Sequence, residues 1–525
     1  MANSLKDSFD KVALIAKKLK NPCYILEEAK LQENLEILSA IKAQSGAKIL
    51  LALKGFAFWS SFEMIAKYLD GITASGYYEA RLGLEEFRKY NKNAIISVFS
   101  PAFSEVEIKK IAPFANHIIF NSFNQMQRFR DALAKYAQGA KMPHIALRLN
   151  PLYSEVEPQI YNPCAKFSRL GITPDEFQNG LKTHSLRGVS GLHFHTHCEQ
   201  NSDALERTLE AVERHFGKYI AQMKWINFGG GHHITRKDYD INRLVRVISR
   251  FRKKYGVEVI LEPGEAVGWQ CGVLVGEVVD IVKNGVNIAI TNLSAATQMP
   301  DCLEMPYTPE IVGARVASGN LFWGMQFRTC ENFGESAESS KKIRAKHPKK
   351  SFCYFWLKPK VESLLPYQPQ LTKKGKFAES ALDSANPTSD AESTNKAQQT
   401  IEGIAVEVAE FLPNLECETR LEVCEHSKFG KSMQDAPKSK LNAQKYFYRL
   451  GCPSCLAGDI IGDYEFDSPL KIGDKIIIKD MIHYTIVKNN LFNGIPLPSL
   501  AILKQNGDFK IVRKFGYNDY KKRNG

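Results

Sequence analysis

Lys54 closes an otherwise apolar run, Leu51-Ala52-Leu53-Lys54-Gly55. Burial disfavours the charged form of a lysine and lowers its pKa, which a Schiff-base lysine requires. A lysine snorkelling from a rim would leave the same trace in the sequence. Further along, Gly191-Leu192-His193-Phe194-His195-Thr196-His197 sets three histidines at alternate positions, so a strand would turn them to one side. Three such histidines suit zinc; a single one stacked on an aromatic ring is the rival reading, and a plain polar cluster the third. Phe228-Gly229-Gly230-Gly231 lets backbone N–H groups approach an anion such as phosphate, although a tight turn explains the glycines equally well. Leu261-Glu262-Pro263-Gly264-Glu265 offers a carboxylate for a general base, a metal ligand or the partner of a protonated ring nitrogen. Lysine, stacking histidine, glycine cradle and ring-nitrogen carboxylate together describe one cofactor, pyridoxal 5′-phosphate (PLP).

These residues need elements to hold them. From residue 47 the chain alternates strand-like runs with amphipathic helical stretches such as Glu63–Leu69 and Asp203–Ile220. The strand candidates are Lys48–Lys54, Gly71–Ser75, Ala94–Phe99, His117–Asn121, His144–Leu149, Gly188–His195, Trp225–Phe228 and Val257–Leu261. Eight βα repeats predict an α/β protein with a closed (β/α)8 TIM barrel, an open doubly wound sheet being the alternative. The candidate residues then fall at the C-terminal ends of strands, where barrel active sites lie. After Gly264, Val273–Val282, Lys475–Ile478 and Tyr484–Val487 read as strands of a C-terminal β domain. Residues 314–445 read as a partly disordered insertion in that domain. Its low-complexity linker lies near 373–400, and Phe352–Leu357 and Ile401–Leu412 give it some packed structure.

The chain has 525 residues and a formal net charge of +13, but the basic residues are scattered and no groove-reading motif accompanies them. A nucleic-acid partner is therefore not expected. No apolar run approaches the length of a membrane span, so no membrane association is expected either. Asp7, Asp10, Lys11, Lys17 and Lys18 interrupt any signal-peptide core. Eleven cysteines without framework spacing suit the reducing cytoplasm, and Cys452-Pro-Ser-Cys455 lacks a second pair at zinc-site spacing.

The chain resembles the fold-type III PLP enzymes, the alanine racemase-like barrels that include ornithine and diaminopimelate decarboxylases. Within them it is most similar to the carboxynorspermidine/carboxyspermidine decarboxylase branch. The resemblance rests on Asn21-Pro-Cys-Tyr-Ile, Leu53-Lys54-Gly-Phe-Ala, Gly191–Gln200, Asn227-Phe-Gly-Gly-Gly-His and Leu261-Glu-Pro-Gly-Glu-Ala. More specific are Met299-Pro-Asp-Cys-Leu-Glu-Met-Pro-Tyr and Tyr448-Arg-Leu-Gly-Cys-Pro-Ser-Cys-Leu-Ala-Gly-Asp, with His483-Tyr484 and Phe492-Asn493-Gly494 beyond. It spans about 21–313 and 446–525. It implies a segment 1–30 joining the β domain, a PLP-binding barrel over 31–270, and a β domain from 271–313 and 446–525.

The resemblance also implies roles. Lys54 would carry PLP as a Schiff base, His195 would stack on its ring, Gly229, Gly230, Gly231 and Tyr484 would hold its phosphate, and Glu262 would pair with the ring nitrogen. Cys455, delivered by the partner subunit of a homodimer with shared active sites, would return a proton to the α-carbon. Glu265, Asp301, Glu304 and Asp459 would hold the amines of a carboxylated triamine. Three positions depart from the pattern: Cys452 replaces a glycine, Thr291–Thr297 lacks an aspartate near its start, and Glu265 replaces the arginine of ornithine decarboxylases. An acid in place of a base suits a polycationic substrate. The alternatives are a diaminopimelate or ornithine decarboxylase of this fold, and a non-catalytic PLP-binding regulator, which would be expected to lose Lys54 or Cys455.

Overall fold

The βα repeats close on themselves. In a computed structural model describing residues 11–137, 141–157, 159–305, 307–317 and 445–525, the chain runs through β1 (Cys23–Glu27) and the helix Glu28–Ser45 before entering a barrel. The barrel strands are β2 (Lys48–Ala52), β3 (Gly71–Ala74), β4 (Ile95–Ser100), β5 (His117–Phe120), β6 (His144–Leu149), β7 (Val189–Phe194), β8 (Trp225–Asn227) and β9 (Glu258–Leu261). They pair in parallel and in sequence order, and β9 returns to β2 through Lys48–Ile260 and Ile49–Leu261. Strands covered on both faces read as continuous apolar runs. Alternation then divides them: Leu50, Ile119, Ala146, Trp225 and Ile260 form one cluster, while Ile49, Leu51, Ile118 and Leu147 join the larger core with helix residues such as Leu38, Leu133 and Leu209.

A second sheet stands beside the barrel. It comprises β10 (Gly272–Asn284), β11 (Val286–Thr291), β12 (Ala314–Val316), β13 (Tyr446–Gly451), β14 (Ile460–Phe466), β15 (Lys475–Lys479), β16 (Ser499–Leu503) and β17 (Phe509–Arg513). Strand order is β12-β14-β13-β11-β10-β1-β16-β17, with β15 also on β10. β1 lies antiparallel to β10 and parallel to β16, so the start of the chain is built into the C-terminal sheet.

Two expectations need correction. Tyr484–Val487 is not a strand but the start of the helix Tyr484–Lys488. Tyr-Thr-Ile-Val favours strands locally, yet Asp480 at φ 59° turns the chain out of β15, and buried Met481 and Ile482 anchor the turn. The insertion boundary at 314 is also early, because Ala314–Val316 still pairs with Tyr464–Phe466. The linker near 373–400, Phe352–Leu357 and Ile401–Leu412 lie outside the described residues. No helix among the described residues is long and apolar enough to cross a membrane.

Candidate active site

At the C-terminal end of β2, Ala52 N–H donates to the Pro263 carbonyl at 2.9 Å, tying the Lys54 turn to the turn after β9. A Cβ on Gly55 would come within 3.2 Å of Gly264 Cα, so the two turns meet backbone to backbone. Lys54 remains within reach of solvent at the open mouth. The surrounding protein nevertheless displaces enough water to lower its ammonium pKa, and the Arg148 guanidinium lowers it further.

Glu262 ends β9 with its carboxylate buried. Burial alone would raise its pKa, but hydrogen bonding and charge from His193, with hydrogen bonds from Asn227 and Thr73, reverse the sign and hold it below the ordinary carboxylate range. Asn227 Nδ2 donates to Oε1 at 2.6 Å, and His193 Nε2 lies 3.4 Å from Oε2. The result is an ionised carboxylate in a dry setting, able to keep a bound cationic N–H protonated.

The glycine loop turns back on β7. Gly229 N–H donates to Asn227 Oδ1 at 2.8 Å, and Gly230 N–H to His195 Nδ1 at 3.0 Å. Nδ1 of His195 is therefore the acceptor and Nε2 carries the hydrogen. Burial first, then the charges of Lys54 and Arg148, hold the His195 imidazole well below its usual pKa and thus neutral. A Cβ on Gly230 would stand 2.4 Å from the Glu262 carbonyl, and one on Gly231 (φ 79°) 2.0 Å from the His197 carbonyl. These positions admit only glycine. Two of the three N–H groups expected to cradle an anion are thus already committed within the chain, and among the described residues only that of Gly231 has no partner.

The three alternating histidines do not converge as zinc ligands would. His193 faces Glu262, His195 takes the Gly230 N–H, and the His197 ring packs on His232 with centroids 4.8 Å apart.

Across the mouth lies an acidic group from both sheets. Burial, with Glu199, Asp480 and Asp301 nearby, pushes Glu265 up to about 7 even though His483 opposes the rise. His483 Nδ1 lies 3.9 Å from Glu265 Oε1, and its Nε2 lies 3.2 Å from Asp480 Oδ1. Burial disfavours the His483 cation, but Asp480 and Glu265 prevail and raise its pKa. Burial and the charges of Glu265, Asp301 and Glu199 push the Tyr484 phenol up, so it stays a neutral donor.

Lys54, His195, Gly229–Gly231, Glu262, Glu265 and Tyr484 are thus brought to one mouth. Asp301 and Glu304 border it, but both pair with Lys488. The Asp459 oxygens accept the Ser294 hydroxyl and the Ala296 N–H, each at 2.8 Å, so this buried carboxylate shapes its own loop. Cys455 is exposed at the turn of that loop, with its N–H on Asn493 Oδ1 at 2.9 Å, while Cys452 is largely buried and accepts the Ala295 N–H at 3.4 Å. The sequence reading missed Arg148, buried at the end of β6 with its guanidinium carbon 4.4 Å from the Phe99 ring centre. The signal was an arginine inside an apolar strand. It also missed Glu199, Asp480 and His483 as a group.

No family model matches the chain. It is 38% identical over 507 residues to a carboxynorspermidine/carboxyspermidine decarboxylase of Campylobacter jejuni, covering 97% of this chain and 99% of that protein. A carboxyaminopropylagmatine decarboxylase of Synechocystis is 32% identical over 509 residues, covering 97% and 96%. Among solved structures, carboxynorspermidine decarboxylase from Campylobacter jejuni in complex with norspermidine superposes with TM-score 0.66 at 35% identity, covering 96% of this chain and 100% of that one.

Proposed function

The chain belongs to the carboxynorspermidine/carboxyspermidine decarboxylase family, and from that premise we propose that it removes the α-carboxyl group of carboxyspermidine, carboxynorspermidine or both as CO2, releasing spermidine or norspermidine. It is a decarboxylase of polyamine biosynthesis.

The residues at the mouth fit PLP. Lys54 would hold its aldehyde carbon, His195 its ring face, Glu262 its ring nitrogen, and the Gly231 N–H and Tyr484 hydroxyl its phosphate, with Gly229 and Gly230 giving the backbone room. When bound, PLP supplies the electron sink for the pair left behind as CO2 departs.

The chain's own groups do the rest. Glu262 stays ionised and keeps a proton on the ring nitrogen. Lys54, with its lowered pKa, is readily deprotonated and so can exchange with the substrate α-amine. Neutral His195 is held in one orientation by Gly230 N–H. Glu265, with Glu199 and Asp480 beside it, attracts the inner ammonium groups of the triamine. Cys455 of the partner subunit gives its thiol proton to the α-carbon. The working unit is a cytoplasmic homodimer in which the barrel, 31–270, supplies Lys54 and the β domain, 271–313 and 446–525, supplies Cys455.

The observation that best supports this reading is the buried, ionised Glu262 at the mouth that also holds Lys54. The test is CO2 release from carboxyspermidine, carboxynorspermidine, carboxyaminopropylagmatine, diaminopimelate and ornithine by purified protein with PLP. Turnover of the first two is expected, and turnover confined to diaminopimelate or ornithine would overturn the reading.

A further inference from the structure

Cys455 lies in the connection between β13 and β14, and the two ends of that connection are pinned. Cys452 N–H donates to the Asp459 carbonyl at 3.1 Å, and Asp459 N–H to the Leu456 carbonyl at 2.9 Å. Pro453-Ser454-Cys455 between them forms a bend that pairs with no strand. Among the described residues, one hydrogen bond ties this bend to anything outside the 452–459 loop. It runs from Cys455 N–H to Asn493 Oδ1 at 2.9 Å.

Asn493 is itself held in place. It adopts φ 55° and ψ 15° inside the turn Phe492–Gly494, a left-handed conformation that asparagine tolerates better than most side chains. Asn490 anchors that turn. Its Oδ1 accepts Phe492 N–H and its Nδ2 donates to the Ala296 carbonyl, each at 2.9 Å. Ala296 N–H is also the donor to Asp459 Oδ1. A closed ring therefore runs from Cys455 through Asn493, Asn490, Ala296 and Asp459 back to the loop. The other side of the turn meets the last helix, Tyr517–Asn524. A Cβ on Gly494 would stand 3.8 Å from the Tyr520 ring, so that ring lies against the turn. Asp519 fixes the start of the helix, accepting Gly516 N–H and an Arg513 N–H of β17, each at 2.8 Å.

We propose that Asn493 is a positioning residue for proton return: it sets the Cys455 backbone, and Tyr520 of the C-terminal helix keeps Asn493 in the conformation that this requires. The inference rests on the reading of Cys455 as the group that protonates the α-carbon. Once the backbone is set, only the χ1 rotation moves the sulfur, among three staggered positions. The electron pair left behind by CO2 forms a new C–H bond with the thiol proton, and the thiolate regains a proton from solvent. A held thiol delivers to one face of the carbon. A drifting bend slows the transfer and lets water deliver to either face, without touching substrate affinity.

The experiment runs in D2O with PLP-loaded enzyme carrying Asn493→Gly, Asn493→Asp, Tyr520→Ala, Tyr520→Phe or Cys455→Ala. Glycine keeps the left-handed backbone and removes the acceptor, whereas aspartate keeps both. Wild type should place deuterium on a single face of the decarboxylated carbon, read by NMR after chiral derivatisation of the product. Asn493→Gly should lower kcat about tenfold, leave KM for carboxyspermidine within about twofold, and scramble deuterium between the faces. Asn493→Asp should restore the stereochemistry and most of kcat. Tyr520→Ala should act in the same direction as Asn493→Gly to a smaller extent, and Tyr520→Phe should match wild type. Wild-type kcat and stereochemistry in Asn493→Gly, with Cys455→Ala impaired, overturn the positioning role alone. Wild-type behaviour of Cys455→Ala, or scrambling by the wild type itself, overturns the donor reading and this inference with it. Tyr520→Ala equal to wild type overturns the part given to the helix. If neither Asn493 variant folds, the contact is structural and the proposal falls.

Discussion

His193 Nε2 lies 3.4 Å from Glu262 Oε2, while Asn227 holds the other oxygen of the same buried carboxylate. The His193 ring in turn stacks on Phe99 with centroids 5.7 Å apart, and the Arg148 guanidinium carbon lies 4.4 Å from the centre of that phenyl ring. The carboxylate at the end of β9 is therefore oriented by β7, β8 and β3 together, and its charge is sustained without exposure to water.

Glu262→Gln keeps the shape and removes the charge. Decarboxylation should fall about a hundredfold or more, the scale on which a single aimed electrostatic group acts. PLP should still bind, since Lys54 and the glycine loop are untouched, and visible absorption of the purified variant with added PLP reads that directly. Activity within a few-fold of wild type would show that Glu262 does not set the protonation of the cofactor.

How much of this was legible in the sequence depends on the range of the contacts. Lys54, His195, Glu262 and the glycines were visible because barrel strands buried on both faces read as unbroken apolar runs, and a polar residue at their ends stands out. The helix Tyr484–Lys488 was not, because its β-branched residues carry a local strand preference that the turn at Asp480 overrides. Lys488 and Asp301 are 187 residues apart, and Asp459 and Ser294 are 165 apart. No local pattern distinguishes an acid that has a distant partner from one that awaits a ligand. That is why the contacts of Asp459 with Ser294 and Ala296 were not legible in the sequence.

Buried histidines make the fold sensitive to mild acid. His117 lies between Trp225, centroids 4.5 Å apart, and His144, 5.7 Å apart, and burial drives its pKa down to about 3. Burial likewise takes His232 and His233 to about 4. These folded-state values lie below the unfolded value near 6.5, so the unfolded chain takes up protons first as pH falls. Stability from these groups is complete above about pH 6.5 and is lost progressively towards pH 4. Glu265, raised to about 7, works in the opposite sense together with Glu79, Glu199 and His483, whose values are also raised. The lowered histidines, which include His144, His193, His195 and His197 as well, outnumber them. The melting temperature should drop by roughly 5 °C or more between pH 7.5 and 5.5, and the slope should be shallower in His117→Gln. A flat profile over that range would contradict the assignment.

Glu265 should make substrate binding pH-dependent. Burial and its acidic neighbours hold it protonated below about pH 7. At pH 6 it offers a neutral carboxyl and at pH 8 a carboxylate. His483, charged more readily than usual, opposes cation binding at low pH in the same direction. KM for a carboxylated triamine should therefore fall as pH rises from 6 to 8. Glu265→Gln should abolish most of that dependence and raise KM at pH 8 by about tenfold, with a smaller change in PLP affinity. A KM profile identical in wild type and Glu265→Gln would place the titrating group elsewhere.

The final prediction concerns the division of labour between subunits. Asp459 fixes the 452–459 loop through Ser294 and Ala296, and Asn493 holds the Cys455 N–H, so the exposed thiol is presented on a built turn rather than on a loose one. Lys54 lies on the first barrel strand's exit turn, and no hydrogen bond among the described residues joins it to that loop. If Cys455 serves the neighbouring subunit, Lys54→Ala and Cys455→Ala are each inactive alone but complementary together. Subunit exchange would yield heterodimers with one site holding both residues and one holding neither. Complete random mixing makes about half of all dimers hybrid, each with one intact site, so activity should return to about a quarter of wild type. Exchange is verified by native mass spectrometry of differently tagged chains. If hybrids form and activity stays at the level of the separate variants, Cys455 acts within its own chain or has no part in proton return.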